Sequence, residues 1–291
     1  MILKPFYWLY AFSFSLLISL GFLGYGIDYY EAYYEIKWGY GGILDRMGFV
    51  IAGAHLNSFS VGIFTVSFLQ FINYHLLIKK SKLNSTYLYV VAIILSFSWS
   101  HLLQSLNMIR QGLSINLLIL FFLSVRFSKF YIILHTITHK IALASVTLSV
   151  FMLFVKNLKI PFLPLLLRIL FVLVVFQYGP RFGAGVVGKD LTVFFLVVTI
   201  IYEVVALFLN SKISKNLLIL LYVSNSLIWV FLLIGINSYA ERLFLSFFPV
   251  YFFLPAILFR LNLFVLIVYL LISLLYVLIS WTVGPLQNAL Y

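Results

Sequence analysis

The sequence predicts an all-α fold: a polytopic bundle of about nine or ten transmembrane spans with a re-entrant helical pair, forming a single integral membrane domain over residues 1–291. Three observations carry this. Of the residues, 64% are hydrophobic and 9% charged, whereas a soluble domain carries about 25% charged residues. The apolar residues come in runs of about 20, the length that crosses the hydrocarbon as a helix; a β-barrel would show short alternating segments instead. Backbone groups in lipid must also be satisfied internally, which leaves a helix bundle.

The first apolar run, 6–24, has only Lys4 before it and no small-residue cleavage site. It reads as a retained helix rather than a signal peptide. Further spans are expected at 57–78, 84–100 and 111–125, then at 161–178, 191–210, 216–236, 243–259 and 262–282. The stretch 130–155 admits two readings, because His135, His139 and Lys140 interrupt it. It crosses once, or it rises to mid-membrane and turns back.

Charge decides between them. With a turn back, Lys4, Lys79, Lys80, Lys82, Arg126, Lys129, Lys156, Lys159, Lys212, Lys215 and Arg260 fall on one side, and no acidic residue joins them. That is the positive-inside bias of a cytoplasmic face. A single crossing would move four of those lysines outside. The re-entrant reading is therefore preferred, with the N-terminus inside and the C-terminus outside. The net charge of +12 then reflects membrane orientation rather than nucleic-acid binding. The absence of cysteine excludes disulfides and thiolate metal sites.

In this topology the outer face collects most other polar residues. The first outer loop, GIDYYEAYYEIKWGYGGILDRMG, carries Asp28 and Tyr29, and its tyrosines also suit a membrane-interface belt. The next, HLLQSLNMIRQGLS, carries His101, Gln104, Asn107, Arg110 and Gln111. Arg110 opens a helix, where backbone N–H groups and the dipole favour an anion such as phosphate; a snorkelling arginine is the plainer reading. Arg181 and Lys189 flank a glycine-rich turn, GPRFGAGVVGKD. It is no P-loop, because Asp190 follows the lysine where Ser or Thr is required. A basic loop over a phosphate or acidic sugar and an ordinary outer loop both fit it.

Glu241 and Arg242 are adjacent near the outer end of the eighth span. Neighbours on a helix point about 100° apart, so they need not pair with each other. His139 and Lys140 lie at or near mid-membrane depth, where ionisable groups are costly and usually functional. Arg168 and Glu203 fall inside spans and read most simply as an intramembrane ion pair. His135 and His139 have the i,i+4 spacing of two helical ligands, but the HExxH glutamate is missing, so no metal is expected.

The run NMIRQGLSINLLILFFLS, a short basic turn, then KFYIILHTITHKIALASV resembles the Wzy- and EpsG-type polysaccharide polymerases. In those proteins an Arg-Gln pair opens one helix and a His follows about 30 positions later, matched here by Arg110, Gln111 and His139. GIDYYEAYY resembles their Asp-Tyr-rich first loop through Asp28 and Tyr29. ERLFLSFFPV resembles their late helix through Arg242. Lys140-Ile141 departs from the small residues that often follow the His in relatives.

The resemblance implies a glycosyltransferase of the bacterial inner membrane, an O-antigen or capsule repeat-unit polymerase acting at the periplasmic face. It would transfer a glycan en bloc from undecaprenyl pyrophosphate to a new lipid-linked repeat unit. Donor and acceptor would be undecaprenyl-pyrophosphate-linked oligosaccharides, with a flippase and a chain-length regulator as partners. No cofactor, nucleotide sugar or nucleic acid is implied. In that scheme Arg110 and Arg242 bind the pyrophosphate, and His139 or Glu241 takes the acceptor proton. Gln111 and Asp28 orient sugars; Tyr29, Lys140, Arg181 and Lys189 add substrate contacts. The rival reading is a membrane transporter or flippase of lipid-linked glycans, which is usually longer and built of repeated halves; none are visible here.

Overall fold

The computed structural model describes residues 3–23, 59–81, 85–106, 108–124, 128–138, 142, 145–150, 197–202, 204, 214–233, 237–258 and 263–282. Among these residues every regular element is a helix, and the chain is an all-α, multi-pass membrane bundle. The helices are α1 (Leu3–Ser19), α2 (Phe59–Lys80), α3 (Ser85–Leu95), α4 (Trp99–Leu106), α5 (Ile109–Leu123), α6 (Ser128–Thr138), α7 (Lys215–Leu233), α8 (Asn237–Leu258) and α9 (Leu263–Thr282). Among the described residues, three stretches, Ser60–Lys80, Lys215–Leu232 and Tyr239–Ile257, are long and apolar enough to cross a membrane, and the bent pair α3–α4 makes a fourth if counted as one span.

α1 shows how lipid inverts the usual pattern. Tyr7, Ala11, Phe14, Ser15 and Ile18 recur at helical spacing and are buried. Phe6, Leu9, Phe12, Leu16 and Leu17 cover the opposite side and are exposed. Such an apolar outer face would be untenable in water but suits hydrocarbon. The helix ends in a Schellman turn: Gly21, at φ 81°, donates to Ile18 O and Phe22 donates to Leu17 O.

The described helices form two compact units, Met1–Ala142 with Phe252–Tyr291, and Leu143–Tyr251. In the first, α2 is central and packs on α1, α3, α4 and α5; α5 packs on α6, and α9 lies on α3 and α4. Burial along α5 is nearly complete, so its 15 residues are enclosed on almost all sides.

The expected spans at 84–100 and 111–125 need correction. The former breaks after α3 and bends by 56° into α4. The latter is realised as α5, which at 1.5 Å per residue reaches only ~22 Å, short of the ~30 Å hydrocarbon core. The reason lies in the polar residues between them. They were assigned to an outer loop, yet His101, Gln104 and Ser105 sit on α4 with no exposed surface. Of the 130–155 stretch, α6, Ala142 and the helical residues 145–150 are described; a turn at 139–141 lies outside the described residues, as do the expected span at 161–178, Arg168 and Glu203.

The second unit is held by a smaller polar knot. Tyr251 donates to Asn225 Oδ1 at 2.6 Å and shares a hydrogen bond with Ser224 Oγ at 2.9 Å. Asn225 donates on to Thr199 O, and Trp229 Nε1 donates to Thr199 Oγ1. Tyr251→Phe keeps the ring and removes this link. Interhelical hydrogen bonds in membranes average about 0.6 kcal/mol with a maximum near 1.7, so a stability loss of about 1 kcal/mol is expected. Thermal unfolding of the purified protein in detergent checks it; an unchanged midpoint would remove the knot from the account.

Candidate functional site

The polar residues of the first unit gather where α2, α4 and α5 meet. Ser67, Gln70 and Tyr74 lie at i, i+3 and i+7 on α2; His101, Gln104 and Ser105 lie at i, i+3 and i+4 on α4. Each set makes a stripe along one helix face, and the stripes meet. Ser15 of α1 donates to Ser67 Oγ at 2.9 Å. Ser67 can then donate to His101 Nε2 at 3.0 Å, which leaves the ring proton on Nδ1, 3.3 Å from the Tyr74 hydroxyl. Gln70 donates to His101 O at 3.2 Å and Ser105 Oγ at 3.0 Å.

Asn116 joins the three helices. Its Nδ2 donates to Gly112 O at 2.7 Å and Gln104 Oε1 at 3.2 Å. It accepts from Asn73 Nδ2 at Oδ1, 2.7 Å, and at its backbone oxygen, 3.3 Å. Close packing allows this. A Cβ added at Gly112 would lie 2.8 Å from Gln104 O and 3.0 Å from Val66 Cγ1, so only glycine lets α5 approach α4 and α2 so nearly.

A double-mutant cycle tests the Asn73–Asn116 bond. Either residue changed alone to Leu strands its buried partner, which costs about 1–3 kcal/mol. Changing both removes the stranded group, so the double variant should lose less than the sum, with coupling of at least about 0.5 kcal/mol. Simple additivity in thermal or denaturant unfolding would refute the bond.

The other face of α5 meets α6. His135 is buried, and its Nδ1 donates to Ser114 O at 2.7 Å, with Ser114 Oγ at 2.8 Å. A carbonyl only accepts, so Nδ1 carries the proton. Gln111 stands one turn before Ser114, 4% exposed, and among the described residues its Nε2 has no hydrogen-bond partner. Arg110, beside it, is half-buried in the first turn of α5, whose N-cap Met108 supplies no side-chain cap. The start of α5 is thus rich in donors.

The other expected residues are placed as follows. Glu241 and Arg242 belong to the second unit, in the opening turns of α8, at the start of that span. Glu241 is partly buried and Arg242 is exposed, its guanidinium 5.8 Å from the Tyr239 ring centre. Asp28, Tyr29, Asn107, His139, Lys140, Arg181, Lys189 and Glu203 lie outside the described residues. Among the described residues no three of His, Asp and Glu come together as metal ligands.

The sequence reading missed Ser67, Gln70, Asn73, Asn116 and Ser114, and it treated His135 only as a metal-spacing candidate. Their signal was present: polar residues at helical spacing inside otherwise apolar helices, which in lipid must face one another. No family model, curated protein or solved structure matches this chain.

Proposed function

We propose that the protein is a polysaccharide repeat-unit polymerase of the inner membrane, of the kind its Arg110-Gln111 helix resembles. One observation supports this above the rest: the buried Gln111 amide, whose Nε2 lacks an acceptor, next to Arg110 at the start of α5. A buried donor without a partner is costly, and a substrate oxygen would satisfy it. Arginine and amide donors at a helix start suit a pyrophosphate and the sugar attached to it.

In this reading the acceptor hydroxyl oxygen bonds to the anomeric carbon of the donor glycan. The bond from that carbon to pyrophosphate breaks, and undecaprenyl pyrophosphate leaves. Arg110 neutralises the charge that develops on the leaving group. His139 accepts the hydroxyl proton. Gln111 and Asp28 orient sugars, while Tyr29 and Lys140 contribute further contacts. The site opens to the periplasm, where a flippase delivers repeat units and a chain-length regulator sets their number.

The test is the surface glycan of a strain lacking this gene, resolved on a gel. The null strain should carry single repeat units only, and the intact gene should restore the ladder. Loss of even the single repeat would point upstream, to a flippase of lipid-linked glycans, and the polymerase reading would be abandoned.

A further inference from the structure

Among the described residues, two buried oxygens in the α2–α4–α5 layer have no hydrogen-bond partner: Gln70 Oε1 and Asn73 Oδ1. They stand at i, i+3 on α2, and both side chains are fully buried. Their identity as oxygens is fixed by their neighbours. Asn73 meets Asn116 O, and Gln70 meets His101 O. Both are carbonyls that only accept, so each must face an amide NH2, and the oxygen must point elsewhere. Asn116 cannot flip to relieve this, because its own NH2 faces Gly112 O.

Two unmet acceptors call for a donor. A cation would supply one, but the described residues of this unit include no Asp or Glu, and an uncompensated charge inside a membrane bundle is expensive. The donor must then be neutral and small enough to reach two side chains one helical turn apart. A hydroxyl meets that need, and buried polar groups such as these two oxygens are what hold internal water.

We infer that Gln70 Oε1 and Asn73 Oδ1 form an internal binding site for a hydroxyl donor, either a water molecule or a sugar hydroxyl. The site rests on the hydrogen-bond geometry, and only its sugar alternative draws on the polymerase reading. It is distinct from Arg110 and Gln111, which lie at the start of α5.

Radiolytic hydroxyl-radical footprinting of the full chain in lipid nanodiscs tests it. Bound water is converted to radicals where it sits, so His101, whose backbone oxygen meets the Gln70 amide, and Tyr74, hydrogen-bonded to its ring, should be oxidised several-fold faster than the buried Phe247. In Gln70→Leu, and separately in Asn73→Leu, that excess should disappear while the variant remains folded by size-exclusion chromatography. Adding oligosaccharide released from the strain's own surface glycan distinguishes the sources. Protection of His101 and Tyr74 assigns the site to a sugar hydroxyl; an unchanged footprint assigns it to water. Wild-type labelling of His101 and Tyr74 no faster than that of Phe247 would overturn the inference, and that result needs no variant.

Discussion

An Arg110→Ala chain, made at normal level and complementing a null strain, is expected to leave the surface glycan at one repeat unit. The reasoning starts from charge. Breaking the glycosyl–pyrophosphate bond leaves negative charge on the leaving oxygen, and a guanidinium held beside it lowers that barrier. Losing one preorganised donor of this kind costs ~10²–10³ in rate, enough to erase a ladder that needs many successive transfers. Lys in the same place keeps the charge but loses the planar fork, so Arg110→Lys should give a shortened ladder. Gln111→Met gives a contrast, because it removes a buried donor left unmatched among the described residues. That variant should be at least as stable as the wild type in thermal unfolding, yet poor in polymer. Loss of both stability and polymer would mean Gln111 holds the fold; full-length polymer from Arg110→Ala would remove Arg110 from the site.

Much of the fold was legible in the sequence wherever a helix keeps a long, predominantly apolar run. α2, α7 and α9 lie within a few residues of the runs at 57–78, 216–236 and 262–282, because hydrocarbon selects continuous apolarity and the run itself is the signal. Legibility failed where polar side chains satisfy one another between helices. His101, Gln104 and Ser105 looked like the start of a loop because each alone would be costly in lipid. Their partners, Asn116, Gln70 and Ser67, lie on other helices, and one chain read in order does not show who meets whom. α8 begins before the expected 243, because Asn237-Ser-Tyr-Ala-Glu-Arg has loop-like composition but forms the opening turns of the helix. The position of Arg110 and Gln111 at a helix start was legible because that argument is local: a charged residue beside an amide where an apolar run begins. The pairing of His135 with Ser114 was not, since it depends on how α6 returns against α5.

Gly112 carries the largest structural effect expected in the first unit. Its missing side chain lets the α5 backbone come against the Gln104 carbonyl, and a Cβ there would sit 2.8 Å from that oxygen. Backbone cannot rotate away as a side-chain tip can, so α4 and α5 must separate. Overpacking of a tight core costs about 1–3 kcal/mol, and the separation also stretches the Asn116–Gln104 bond one turn along. Gly112→Ala should therefore lower the unfolding midpoint clearly, and Gly112→Val should leave little folded protein in the membrane fraction. The second-nearest atom supplies a control. Val66 Cγ1 lies 3.0 Å from the added Cβ, so Val66→Ala relieves that contact but leaves the carbonyl clash. Combined with Gly112→Ala it should restore only part of the loss. Complete rescue would place the obstruction on the Val66 side chain; wild-type stability in Gly112→Ala alone would mean that α4 and α5 do not approach this closely, and the polar layer that depends on that approach would have to be redrawn.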